Sequence, residues 1–295
     1  MHKPDGFNEY WDDLLAEVDS VVSDWERIDR AQIATSRGKQ WKVDWIRYSS
    51  LDDIVVQGWY SVPYDHAMSG AGFLWLPGYS YGTPPPDDSN LVAGAATLAI
   101  NIHGNPPDAP YLNPAGKRDY ILEGIDNPRT FIYRTIVGHC LCALDVLSEQ
   151  PEAQSGLVSA GMSQGGGLAL LVASLDRRPK ICCADMPFLT DVRTAIQISH
   201  SGAYRTLAKY AQENPQALET ILLFDSLYHA DRIKVPTWIS AGGKDPTCRP
   251  KTVEKVYEAL ASVDKHYEFF PTSGHVFMPE MNAAYEQMIK QYIVG

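Results

Sequence analysis

Long apolar runs are missing from this 295-residue chain. No stretch approaches the roughly 20 residues that a membrane-spanning helix needs, so a membrane protein is not expected. Cations are in deficit: Lys and Arg number 25 against 36 Asp and Glu, a formal net charge of −11. That balance argues against nucleic acid or an anionic membrane as partner, because clustered cations hold both. The five cysteines (Cys140, Cys142, Cys182, Cys183, Cys248) form no C-x-x-C pair. A zinc site or redox dithiol is therefore not expected, and buried free thiols in a reducing compartment fit better. The opening residues, Met1-His2-Lys3-Pro4-Asp5-Gly6, lack the basic start and apolar stretch of a signal peptide, so a cytoplasmic location is expected. What is present is ordinary globular composition, 45% hydrophobic and 21% charged. It implies an ample core in one domain over residues 1–295, needing neither metal nor disulfide for stability.

Residues Phe7, Tyr10, Trp11, Leu14, Leu15, Val18 and Val22 recur at helical spacing and predict an amphipathic helix over about residues 7–28. Strict alternation over 41–48 and 54–60 predicts antiparallel strands with one solvated face. The pattern then changes to short continuous apolar runs at 72–76, 96–102, 156–160, 180–184, 235–240 and 265–270. Such runs suit strands buried on both faces. Helical stretches separate them at 130–148, 164–175, 250–262 and 279–293. The alternation implies a doubly wound, mostly parallel α/β sheet with antiparallel leading strands. A stretch at 191–228 has three short helical patterns and no strand, and reads as a small helical cap. Two proline-rich connections, 77–90 and 105–116, are long enough to be functional walls.

The most informative segment is Gly161-Met162-Ser163-Gln164-Gly165-Gly166-Gly167. It fits G-x-S-x-G between a short strand and a helix, the nucleophile elbow of the α/β-hydrolase fold. The glycine run lacks both a Gly-Lys-Ser/Thr ending and G-x-G-x-x-G spacing, so no nucleotide is implied, nor any other cofactor. An acyl carbonyl needs a nucleophile, a base, a group that orients the base, and donors for the oxyanion. In this fold the order is Ser, then Asp or Glu, then His. Asp245 follows the 235–240 run, at the sheet edge where Ser163 is expected, and His275 follows the last strand. Each has a plainer reading: Asp245 before Pro246 as a turn residue, His275 as a surface histidine. Asp185, Asp191, Asp225 and Asp231 are rival carboxylates. The oxyanion donors should be the backbone amides of Gln164 and of Tyr79, the latter in a Pro-Gly turn that could also be ordinary. Tyr79, Tyr81, Tyr111 and Phe188 are aromatic candidates for a substrate pocket or for plain packing.

Several stretches together resemble the acetyl xylan esterase and cephalosporin C deacetylase family, carbohydrate esterase family seven. They are Pro77-Gly78-Tyr79, Gly161-Met162-Ser163-Gln164-Gly165-Gly166, Ala184-Asp185-Met186-Pro187-Phe188-Leu189 and Gly274-His275, with residues 124–134 leading into a long helix. The resemblance covers roughly residues 40–293. It implies deacetylation of small acetylated sugars and related esters without a cofactor, by Ser163, Asp245 and His275 with the Tyr79 and Gln164 amides. Tyr81, Pro187 and Phe188 are the residues expected at the substrate, and assembly into a homo-oligomer, a hexamer in the family, is also implied. Two positions depart from the family pattern: His103-Gly104-Asn105 replaces R-G-Q, and Val276 replaces the Glu after the histidine. The expected function is thus a serine esterase acting on acetyl or other short acyl esters. Alternatives are a hydrolase of larger esters or peptides, and a catalytically silent binding protein on the same scaffold.

Overall fold

The apolar run 71–76 is buried on both faces because it becomes a central strand, β4 (Ala71–Leu76). Leu74 and Leu76 enter the larger core cluster, whereas Phe73 and Trp75 enter a second cluster on the opposite face. The protein is represented by a computed structural model that describes residues 2–79, 82, 83, 85–103, 120–199 and 202–295. Leading strands β1 (Trp25–Ser36), β2 (Lys39–Ser49) and β3 (Val55–Pro63) pair antiparallel, and β3 pairs antiparallel with β5 (Ala96–Asn101). From β5 through β4, β6 (Gly156–Met162), β7 (Pro179–Asp185), β8 (Thr237–Gly242) and β9 (Lys265–Phe270) every pairing is parallel. The sheet order is β1-β2-β3-β5-β4-β6-β7-β8-β9. This is the α/β-hydrolase architecture expected from the alternation of runs and helices.

Helices α2 (Ile132–Ser148), α3 (Gln164–Leu175) and α8 (Pro250–Ala259) supply the larger core on one face. On the other face α9 (Pro279–Ile289) supplies Met281, Tyr285 and Ile289. Among the described residues, the segment expected at 191–228 holds four helices rather than three, the last running one residue beyond it: α4 (Val192–Ile198), α5 (Gly202–Glu213), α6 (Pro215–Leu222) and α7 (Ser226–His229). The register places Leu76 beside Gly161, Met162 beside Asp185 and Gly242 beside Phe270. The carboxyl ends of β4, β6, β7, β8 and β9 are therefore level, and the loops that follow them open along one sheet edge, where ligands bind in open α/β sheets.

Expected helix boundaries are corrected at both ends of the chain. The opening helix does not run over 7–28 but ends at Asp19, as α1 (Phe7–Asp19), and β1 begins at Trp25. Phe7, Trp11, Leu14 and Val18 bury the apolar stripe, while Val22 is 79% exposed. The sequence Ser20-Val21-Val22-Ser23-Asp24 pairs β-branched with short polar residues, both weak helix formers. The chain instead enters an edge strand whose first residue, Trp25, donates its indole N–H to Glu149 at 2.6 Å. The last helix is also shorter than 279–293: α9 ends at Ile289 and a π-helical turn follows. Among the described residues no helix is long and apolar enough to cross a membrane.

Candidate active site

Ser163 lies between β6 and α3 with φ 61° and ψ −122°, a conformation a non-glycine residue rarely adopts. Holding it costs of the order of 1–3 kcal/mol, so surrounding contacts must over-determine it. They do. The Ser163 amide donates to the Asp185 carbonyl at 2.9 Å, and the Ser163 carbonyl accepts from Phe188 at 2.8 Å and Gly167 at 3.0 Å. The glycine run lets these backbones meet: a Cβ at Gly165 would lie 1.9 Å from the Leu76 carbonyl oxygen. Strand, turn and helix are thus pressed together at the one point where a serine hydroxyl stands at the sheet edge.

The carboxylate and imidazole arrive from the last two strand ends. Gly243 donates to Phe270 and Lys244 to Ser273, each at 2.8 Å, which sews the loop after β8 to the loop after β9. The approach needs glycine, because a Cβ at Gly243 would meet the Pro271 carbonyl oxygen at 2.4 Å. Asp245 is fully buried, and one carboxylate oxygen accepts from the amides of Thr247 at 2.8 Å and Cys248 at 2.9 Å. The other oxygen meets His275 Nδ1 at 2.6 Å. A carboxylate acceptor there puts the imidazole proton on Nδ1 and leaves Nε2 as the basic nitrogen. The His275 side chain is 25% exposed, and His275 and Ser163 line the same cavity of about 640 Å³. Of the rival carboxylates, Asp185 is committed elsewhere: it accepts from Trp238 at 3.1 Å, Ser240 at 2.6 Å and the Tyr285 hydroxyl. Burial still outweighs those bonds and pushes its carboxyl up to about 6.

Cys248 lies beside the pair, with ligand atoms of Asp245, Cys248 and His275 within 4.8 Å of one another, and its thiol contacts Ser163. Burial and the Asp245 charge push the thiol well above its ordinary value, against the Ser163 contact, so it stays protonated. A protonated thiol beside a carboxylate already engaged on both oxygens is a poor donor set for a cation.

The Gln164 side chain is a feature that sequence reasoning missed. It is completely buried, and its carbonyl oxygen accepts from the hydroxyls of Tyr120 and Tyr133, each at 2.7 Å. Its amide nitrogen donates to the Pro77 carbonyl at 3.4 Å, just before Gly78-Tyr79. One side chain therefore joins the two peptide segments expected to carry oxyanion donors. As the first residue of α3, Gln164 also has a backbone amide with no intrahelical acceptor. The available signal was a glutamine in a buried glycine-rich turn, where a polar side chain must find partners.

Tyr79 and Phe188 line the cavity, and the Tyr79 hydroxyl accepts from the amides of Tyr120 and Ile121 at 2.8 Å each. Pro187 is buried against α3, its Cα 3.1 Å from where a Gly166 Cβ would sit, and is not among the wall residues. Tyr81, Tyr111, Gly104 and Asn105 lie outside the described residues, as does the connection 105–116. His103 packs its ring on Tyr120 at 4.7 Å, and Val276 is exposed.

A family model for acetyl xylan esterase (AXE1) matches residues 1–292. Acetyl esterase Axe7A of Xylanibacter ruminicola is 29% identical over 205 residues, a match covering 66% of this chain and 46% of that protein. The chain thus spans about half the length of this curated relative. An acetyl xylan esterase from a Paenibacillus species superposes with a TM-score of 0.84 at 27% identity, covering 99% of this chain and 96% of that one. Acetyl xylan esterase 1 from a Thermoanaerobacterium species, at 22% identity and a TM-score of 0.80 over 99% of this chain and 94% of its own, shares the fold.

Proposed function

The chain belongs to the acetyl xylan esterase family, and from that premise we propose that it is a carboxylic ester hydrolase that removes acetyl and other short acyl groups through Ser163. The observation that carries the reading is the 2.6 Å Asp245–His275 pair opening on the same cavity as the strained Ser163 turn. His275 Nε2 takes the Ser163 proton as Oγ attacks the ester carbonyl, and the tetrahedral oxyanion forms. The Gln164 and Tyr79 amides donate to it, each worth about 3–4 kcal/mol of barrier. Collapse breaks the bond to the alcohol oxygen, which receives the proton from His275 and leaves. Water then loses a proton to His275, attacks the acyl-serine and releases the carboxylic acid, returning the proton to Ser163. Asp245 keeps the imidazole in the reactive tautomer and stabilises its protonated form. In this reading Gln164 also acts through its side chain, since its bonds to Tyr120, Tyr133 and Pro77 hold both donor segments in place.

The test is covalent labelling. A fluorophosphonate should modify the peptide carrying Ser163, with no adduct in Ser163→Ala and a slower one in His275→Ala. Folded protein that takes no label, or takes it on another residue, would remove the reading.

A further inference from the structure

We propose that Asp185, at the end of β7, is a positioning residue that sets the reach of His275 to Ser163. This rests on the acyl-transfer reading above, in which those two groups exchange a proton. Asp185 is bonded to the elements that present all three reactive residues. Its main chain serves the serine: the carbonyl accepts from the Ser163 amide at 2.9 Å, and the register sets Asp185 between Met162 of β6 and Ser240 of β8. Its side chain serves the other two. Oδ1 accepts from Trp238 Nε1 at 3.1 Å and Ser240 Oγ at 2.6 Å, both on β8, the strand whose following loop holds Asp245. Oδ2 accepts from the hydroxyl of Tyr285 on α9, the helix that starts at Pro279 just after the His275 loop.

Packing alone does not call for a carboxylate here, because an apolar side chain would fill the space without taking a charge out of water. What the carboxylate adds is direction. Asp185, Ser240 and Tyr285 are completely buried, so shifting any of these bonds leaves a polar atom unpaired in the core, which holds the group to one arrangement. The peptide that joins Asp185 to Met186 is pinned on both sides: its carbonyl takes the Ser163 amide, and its N–H donates to the Ser240 carbonyl at 3.0 Å. Met186 has φ 40°, so strained residues follow both β6 and β7, at Ser163 and at Met186. The Asp185 network keeps these two strand ends, β8 and α9 in fixed relation. Proton transfer between Ser163 and His275 depends on that relation, since a 1 Å misplacement of reacting groups can cost about 100-fold in rate.

The test removes one arm at a time. Tyr285→Phe releases α9, Ser240→Ala releases β8, and Asp185→Asn removes the charge they share. Single-turnover stopped flow, with enzyme in excess over p-nitrophenyl acetate, gives an acylation rate constant and a dissociation constant per site titrated with fluorophosphonate. Acylation should be about tenfold slower in each single-arm variant and about 100-fold slower in Asp185→Asn, with dissociation constants unchanged. Should Asp185→Asn fail to fold, the single-arm variants decide the matter alone. Tyr60→Phe is the control: it deletes a buried hydroxyl bonded to Glu152 in the core on the opposite face of the sheet. It should lower the urea midpoint and leave acylation at the wild-type rate. Wild-type acylation in either single-arm variant, whatever its stability, would overturn the inference and leave the esterase reading intact. Wild-type protein that releases no p-nitrophenol would sink the esterase reading itself, and the inference with it.

Discussion

The two sides of the reactive arrangement are held differently. On the serine side, the Ser163 peptide is fixed by three backbone bonds and by a helix start that admits no Cβ at Gly165. Its neighbour Gln164 is gripped by two tyrosine hydroxyls. On the imidazole side, His275 is partly exposed, sits in a loop beside exposed Val276, and is anchored through Nδ1 on Asp245. The contrast suits the acyl transfer proposed above. The oxyanion donors must be in place before charge develops, whereas the base must serve first the serine and then the leaving oxygen.

The largest effect should come from breaking the imidazole side. Asp245→Asn keeps an oxygen for the two amides but favours the wrong histidine tautomer, and kcat should fall about 10⁴-fold with the fold intact by circular dichroism. On the serine side, Gly165→Ala drives a methyl group into the Leu76 carbonyl. It should destabilise the protein by about 3 kcal/mol in urea unfolding and lower activity in parallel.

A third test reaches α3, the helix behind Ser163. His229 Nδ1 bonds Ser174 of α3 at 2.7 Å, its Nε2 faces the Leu223 carbonyl at 3.0 Å, and burial lowers its basicity from 6.5 to about 3. A depressed histidine contributes stability that is present above pH 6.5 and lost as pH falls toward 3. At pH 5 the loss relative to pH 7 is about 2 kcal/mol. Buried Asp225, pushed up to about 7, acts in the opposite direction, losing its contribution as pH rises through that value. The informative quantity is therefore the difference between wild type and His229→Gln in unfolding free energy at the two pH values, which cancels the carboxyl effect. The stability of wild type relative to the variant should be about 2 kcal/mol lower at pH 5 than at pH 7. The smallest effect is expected for Tyr133→Phe, which removes one of two donors to Gln164: kcat about tenfold lower with KM unchanged. A raised KM with kcat preserved would move Tyr133 from positioning to substrate binding.

The serine side was the more legible half in the sequence, because its constraints are local. Glycines at 161 and 165–167 around Ser163, between a short apolar run and a helical one, specify a tight strand–turn–helix, and α3 spans the expected 164–175. The six apolar runs likewise appear as β4 to β9; β4 to β8 are largely buried on both faces and carry an unbroken signal, whereas β9, expected to be buried too, lies at the sheet edge with no residue fully buried. The Tyr120–Gln164–Tyr133 clamp was invisible because it joins residues up to 44 positions apart. Strand β1 was missed for the opposite reason: as an edge strand with most residues exposed it has no apolar alternation to read. Val22 extended the helical pattern past its true end, although Ser20, Ser23 and Asp24 around it favour turns.

Rapid acid quench during turnover of p-nitrophenyl acetate tests the central claim most directly. If Ser163 is the nucleophile, mass mapping will find one acetyl group on the peptide that carries it, accumulating with the burst of p-nitrophenol. A burst with acetyl on another residue, or full turnover in Ser163→Ala, would contradict the account.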